Sequence, residues 1–239
     1  MRVKLWAALC ICTAGLGSWS CGAAQPVDSL VEAMAAYDRG DLVEAVKRYR
    51  LAAAQGDAKA QNNLGSMYAK GEGVPENDAE AVRWFRLAAA QGDAGAQFSL
   101  GVMYARGEGV PENDAEAVKW YRLAAAQGDA KAQYNLGVMY DNGEGVPEND
   151  AEAVKWYRLV AAQGHARAQT KLGVMYADGE GVPTNFLKGY AWSSLGAAQG
   201  NAEAKMIRDL IAELMTREQL AAGQALAARC FESKYKNCD

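Results

Sequence analysis

Apolar and polar positions alternate along most of the chain with a helical period. In residues 94–106, Ala96, Leu100, Met103 and Tyr104 fall on one side, the i, i+4, i+7, i+8 spacing of an amphipathic helix. In residues 114–126, Ala117, Trp120, Tyr121 and Ala124 do the same. Between them lies "GEGVPEND", where Gly107 and Gly109 tolerate positive φ and Pro111 cannot continue a helix. Asp93 or Gly92 is placed to cap the first helix. Asn113 opens the second, with Glu116 at capping-box spacing, and Gly128 closes it. The pattern predicts a helix, a long tight loop and a second helix.

This unit recurs at a shift of 36 residues. Trp84, Trp120, Trp156 and Trp192 share one column, and Tyr68, Tyr104, Tyr140 and Tyr176 another. Leu64, Leu100, Leu136 and Leu172 form a third, each followed by glycine. Residues 93–128 and 129–164 agree at 30 of 36 positions. Such a period marks a stack of repeated units, each burying its apolar sides only against its neighbours. The three columns are therefore the expected repeat core, with the tryptophan buried. Gly101 and its equivalents sit mid-helix at a cost of about 1 kcal/mol against alanine. A second helix backbone crossing close by is the expected reason.

The motif "AQxxLGxMYxxGEGVPxxxxxAxxWxxxAAAQG" resembles the Sel-one-like repeat, a relative of the tetratricopeptide repeat with a longer inner loop. The resemblance runs from about Leu42 to Ala204, with full units starting at Asp57, Asp93, Asp129 and His165. It implies an all-α, right-handed solenoid of about five to six stacked antiparallel helix pairs, whose first helices line a concave surface. It also implies a role in binding proteins, often in bacterial envelopes or secretion. The expected divisions are 1–24, a secretory signal peptide; 25–56, a shortened N-terminal repeat; 57–200, four full repeats; and 201–239, capping helices. "TREQ" (Thr216 to Gln219) has capping-box spacing and starts the last helix.

The signal reading rests on Arg2 and Lys4, the twelve apolar residues from Leu5 to Leu16, and the small residues of "SWSCGAA". A membrane-spanning helix needs about 20. Cleavage near Ala23 or Ala24 removes Cys10, Cys12 and Cys21 and leaves Cys230 and Cys238, an expected disulfide in an oxidising compartment. A lipoprotein reading would use Cys21, but Ser18 stands three before it where a leucine-like residue is wanted. Without Arg2 and Lys4 the chain carries 23 basic against 29 acidic residues. An acidic chain with no basic block is a poor partner for nucleic acid or anionic membrane.

Little chemistry is visible. The single histidine, His165, replaces the aspartate of Asp57, Asp93 and Asp129 and is expected to be a cap. There is no CxxC, and the acidic loop from Asp141 to Asp150 lacks the alternating spacing of a calcium site, so no metal or cofactor is expected. "GEG" follows a helix, not a strand, and is no phosphate cradle. Glu72, Glu108, Glu144 and Glu180 recur and suggest a structural part in the turn. What varies between units is a stripe on the first helices: Phe98, Val102, Tyr134 and Val138, flanked by Lys59, Lys131, Arg167 and Thr170. An apolar centre with a polar rim suits a protein or peptide partner, although the same side chains could pack one unit on the next. The expected function is a secreted, non-enzymatic repeat protein binding a protein or peptide in the envelope. The alternatives are a β-lactam- or peptidoglycan-directed hydrolase, or a structural, motor-associated scaffold.

Overall fold

The computed structural model describes residues 26–236 and 238; the signal reading at 1–24 lies outside them. Among the described residues there are twelve helices and no strand. They are α1 (Pro26–Asp38), α2 (Leu42–Ala54), α3 (Ala58–Lys70), α4 (Asp78–Ala90), α5 (Ala94–Arg106) and α6 (Asp114–Ala126). Then follow α7 (Ala130–Asn142), α8 (Asp150–Ala161), α9 (Ala166–Asp178), α10 (Phe186–Ala198), α11 (Ala202–Glu213) and α12 (Arg217–Glu232). From α1 to α10 each odd helix packs on the even helix after it, and each pair packs on the next, so this part of the molecule is a linear stack of helix pairs. The N-terminal pair has a short turn at 39–41 where later units have a seven-residue loop. At the far end α10 contacts both α11 and α12.

The boundaries follow from side chains that satisfy orphan helix-end groups. Asp57, Asp93 and Asp129 each accept the N–H of the residue three on, at 2.8 Å. Asn77, Asn113, Asn149 and Asn185 do the same for the even helices. The first glycine of "GEG" ends each odd helix in the left-handed region, as Gly107 does at φ 68°. The second makes the inter-unit contact. Gly73, Gly109, Gly145 and Gly181 lie with positive φ against the backbone at the start of the preceding even helix. The loop closes with Asn113 N–H on the Tyr104 carbonyl at 2.8 Å, repeated in every full unit.

The mid-helix glycine has a different neighbour from the one expected. A Cβ on Gly65 would lie 2.8 Å from the Phe85 ring, and one on Gly137 2.7 Å from the Tyr157 ring; Gly101 meets Tyr121 more closely still. An aromatic side chain of the partner helix fills the space, and in the first full unit the Ala81 carbonyl also lies 3.2 Å from that Cβ. In the fourth full unit the column holds Ser193, and Gly189 would meet the Gly173 carbonyl at 3.0 Å.

The depth of the tryptophans also differs from expectation. Leu64, Leu100, Leu136 and Leu172 are fully buried. Trp84, Trp120 and Trp156 are half-buried, and so are Tyr68, Tyr104 and Tyr140. The deep aromatics are the residues after the tryptophans: Phe85, Tyr121 and Tyr157, at 2%, 3% and 0% exposure. Adjacent helical positions point about 100° apart, and the one aimed at the glycine is the inner one.

Two polar ladders tie the stack. Gln61, Gln97, Gln133 and Gln169 are buried, and each Nε2 donates to a carbonyl near the end of the preceding helix, as Gln133 does to Ala125 at 3.1 Å. Each Oε1 accepts from the glutamine 30 residues on, as Gln97 does from Gln127 at 2.8 Å. On the other side Arg50, Arg86, Arg122 and Arg158 donate to the hydroxyls of Tyr68, Tyr104, Tyr140 and Tyr176.

Tyr121→Ala should therefore cost ~3–5 kcal/mol, the range for buried large-to-small aromatic changes, and Trp120→Ala clearly less. Urea denaturation of the two variants checks the order, and a larger loss at Trp120 would reverse the depth assignment.

Candidate partner-binding groove

The first-helix face is built by α1, α3, α5, α7, α9 and α11, with a depression at each step between neighbours. Between α1 and α3 it is about 290 Å³, floored by Tyr49 and edged by Glu72. Between α3 and α5 it is about 190 Å³, with Phe85 below, Phe98 and Val102 on the wall and Glu108 at the edge. Between α5 and α7 it is about 160 Å³, with Tyr121, Val138 and Glu144 in the same roles. The floor is thus an aromatic of the even helix, which in the second and third depressions also covers the glycine, and the edge is the loop glutamate. Each of these glutamates pairs with the side chain two residues before it: Glu72 with Lys70 at 3.9 Å, Glu108 with Arg106 at 3.6 Å and Glu144 with Asn142 at 3.0 Å; Glu72 also accepts from Tyr37 at 3.0 Å. Their backbone recurs too, with the N–H closing the helix end on the Met67, Met103, Met139 and Met175 carbonyls.

The stripe residues serve both packing and surface. Phe98 is half-buried, 5.9 Å from the Tyr121 ring centre, with the Lys131 ammonium 5.9 Å from its own. Tyr134 lies 5.7 Å from Tyr157 and 5.1 Å from His165. Val102 and Val138 are half-buried, while Lys59, Lys131 and Arg167 are exposed. Thr170 lies deeper, among the residues that line the depression beside α9. It is 3% exposed and its hydroxyl donates to the Ala166 carbonyl at 2.8 Å, because α9 is covered where α10 and α11 converge.

A further depression, about 450 Å³, is lined by Tyr134, Arg167, Thr170, Lys171, Val174 and Glu203. Lys171 pairs with Asp141 at 2.9 Å, and Asp141 also accepts the Tyr157 hydroxyl at 3.1 Å. Burial alone would push the Lys171 ammonium down, but the hydrogen bond and charge of Asp141 outweigh it and raise its pKa. Burial, then Asp141, pushes the Tyr157 phenol up. Both groups hold their ordinary charge at neutral pH. Asp141 and Lys171 escape the sequence analysis, although each breaks its column: alanine at 69, 105 and 177, and asparagine or serine at 63, 99 and 135.

Among the described residues no three His, Cys, Asp or Glu side chains cluster to hold a metal. Against the reading that the chain has no Ser-x-x-Lys motif, "SKYK" (Ser233 to Lys236) has that spacing of an acyl-transfer nucleophile. It sits in the turn after α12, and Ser233 Oγ donates to the Cys230 carbonyl at 3.0 Å. His165 Nδ1 accepts the Ala168 N–H at 3.4 Å, so it caps α9.

Tandem helix pairs, joined by a glycine-rich loop and sealed by a terminal pair, define a helical repeat protein. The chain belongs to the Sel1 repeat family, whose model matches residues 35–57, 58–93, 94–129, 130–165 and 166–201. It is similar to c5321, a protective antigen of uropathogenic Escherichia coli with this fold: 34% identity, TM-score 0.77, covering 87% of this chain and 49% of that one. The chain thus spans about half the length of that antigen. It is equally similar in sequence to a Sel1 repeat protein of Oxalobacter formigenes, at 34% identity and TM-score 0.73, over 87% of this chain and 85% of that one. A Sel1 repeat protein of Klebsiella pneumoniae, at 23% identity, TM-score 0.50, and 78% and 93% coverage, shares the fold. No curated protein matches the chain.

Burial, then the Arg167 charge, holds the His165 pKa below the ordinary histidine value. The fold therefore prefers the neutral ring, whose Nδ1 accepts the cap hydrogen bond. The unfolded chain takes up this proton near pH ~6.5, so this stability is present above that pH and falls as pH drops through the lower folded value. His165→Asn keeps a cap acceptor without titrating. Urea midpoints at pH 7 and pH 5 should differ less for the variant than for the parent.

Proposed function

We propose that the protein is an exported, non-enzymatic interaction scaffold that binds an extended protein segment along its first-helix face. The observation that supports this best is the series of three equivalent depressions between α1, α3, α5 and α7, each with an aromatic floor and a carboxylate edge. An extended chain rises about 3.3 Å per residue, so roughly every third side chain of a bound segment meets the next helix of a stack spaced ~10 Å apart. Side chains at Phe98, Val102, Tyr134 and Val138 supply apolar area, and Lys59, Lys131 and Arg167 supply cationic points beside it. Aromatic and arginine anchors of this kind carry most of the energy at protein interfaces.

Export follows from the signal reading at the N-terminus. It agrees with Cys230 and Cys238, which are buried and face each other with Cα atoms 4.7 Å apart, in disulfide register. Among the described residues no helix is long and apolar enough to cross a membrane.

Affinity capture from a periplasmic extract, with the mature chain as bait, tests the reading. The bait should begin near Gln25 and carry no free thiol. Lys131→Glu with Arg167→Glu, both at exposed positions, should weaken capture about tenfold or more while leaving the thermal midpoint nearly unchanged. Full capture by the double variant would move the partner to another face.

A further inference from the structure

The two ends of the first-helix face carry opposite charge. Lys59, Lys131 and Arg167 stand in the first turns of α3, α7 and α9, and all are exposed. Glu72, Glu108 and Glu144 stand just past the ends of α3, α5 and α7, each at the edge of one of the three depressions. Helices of this length run about 20 Å, so the two bands lie well apart. Beside each glutamate the depression offers an aromatic ring, Tyr49, Phe85 or Tyr121, and a small neutral side chain, Asn63, Ser99 or Asn135.

The next step along the stack holds a cation of the chain's own. Lys171 stands in the column of Asn63, Ser99 and Asn135. Its ammonium crosses from α9 to Asp141 of α7 at 2.9 Å, and the Tyr157 hydroxyl meets the same carboxylate oxygen at 3.1 Å. Tyr157 is the counterpart of Phe85 and Tyr121. At the earlier steps Ala69 and Ala105 stand where Asp141 does, and both line their depressions, so the acid there is the loop glutamate instead. The basic residues already near those glutamates hold them loosely. Lys70 lies 3.9 Å from Glu72 and Arg106 3.6 Å from Glu108, in exposed pairs that contribute little. At the third step Asn142 takes the place of the basic residue, and Glu144 accepts only from this neutral amide, at 3.0 Å. Among the described residues Glu144 is the one charged side chain lining the third depression, whereas Lys70 lines the first two.

We propose that the three depressions take basic side chains of the partner segment, lysine or arginine at every third position, with the tightest seat at Glu144. This deepens the groove-binding reading above and rests on it. A lysine or arginine suits such a seat: its methylene stem lies along the apolar wall while its charged head reaches the ring and the carboxylate. The whole chain favours the same partner, since 25 basic against 29 acidic residues leave a net negative field that draws a basic segment in. The basic band at the helix starts lies about two Debye lengths away and repels that segment little.

The probe is a fluorescently labelled peptide with lysine at every third position and alanine or serine between, titrated with the full mature protein and read by anisotropy. Matched peptides carry norleucine or glutamate in place of lysine. Saturable binding is expected for the lysine peptide alone. Glu108→Gln with Glu144→Gln should weaken it about tenfold or more. Glu213→Gln with Glu232→Gln removes equal charge at exposed positions of α11 and α12 and should change it by less than about twofold. Ala105→Asp with Asn135→Lys copies the Asp141–Lys171 pair into the third depression and should weaken binding as well; a thermal melt of each variant shows that it is folded. The proposal is overturned if the lysine peptide does not saturate, if the norleucine peptide binds equally, or if both glutamine pairs lose binding alike. The groove reading fails separately, when Lys131→Glu with Arg167→Glu leaves capture of the native partner intact. Capture that is lost in that variant but survives Glu108→Gln with Glu144→Gln overturns the basic-segment proposal alone.

Discussion

An alanine at Gly101 would put its methyl group into the Tyr121 ring, and the rest of the stack depends on that exclusion. The glycine lets α6 lay its aromatic flat against α5, and the same contact joins α3 to α4 and α7 to α8. With the ring in that slot, Leu100 and Ala117 are fully buried around it and the next unit is given a level platform. The ring also becomes the floor of the depression above. One contact therefore sets both the helix-pair geometry and the shape of the candidate binding face. The fourth full unit reaches the same end by another route, with Ser193 and Gly189 allowing direct backbone approach.

Around this contact the polar groups are used economically. Each buried glutamine joins three helices: its own, the end of the one before, and the end of the one after. An unpaired buried amide would cost on the order of 1–3 kcal/mol, so the ladder is all or nothing across neighbouring units. The arginine–tyrosine ladder does the same at a wetter edge, where each bond contributes less. The two faces left over differ in character. The first-helix face varies from unit to unit, and the second-helix face repeats an exposed leucine at Leu51, Leu87, Leu123 and Leu159.

Much of the architecture was legible because the chain repeats itself. Gly107, Pro111, Asn113 and Gly128 each have a local conformational reason, and four copies leave no doubt about the period. What the glycine faces was not legible, because Tyr121 is 20 residues away and the sequence does not say which of Trp120 and Tyr121 points inward. The glutamine ladder was hidden by residue type: a glutamine reads as surface until both its partners are in place. The depth of Thr170 was not legible because burial at the last full unit depends on the terminal helices, which break the repeat. Phe98 and Tyr134 could be named from their column, but their double use in packing and surface needed the positions of Tyr121 and Tyr157.

The dependence on the glycine–aromatic contact is tested most directly by a double-mutant cycle of Gly101→Ala and Tyr121→Ala, read by urea denaturation. If the ring and the missing methyl occupy one space, the alanine at 101 is costly with the ring present and much less so without it. The two losses should then be non-additive by ~1 kcal/mol or more. Losses that add to within about 0.5 kcal/mol would contradict the account and place the support of the stack elsewhere.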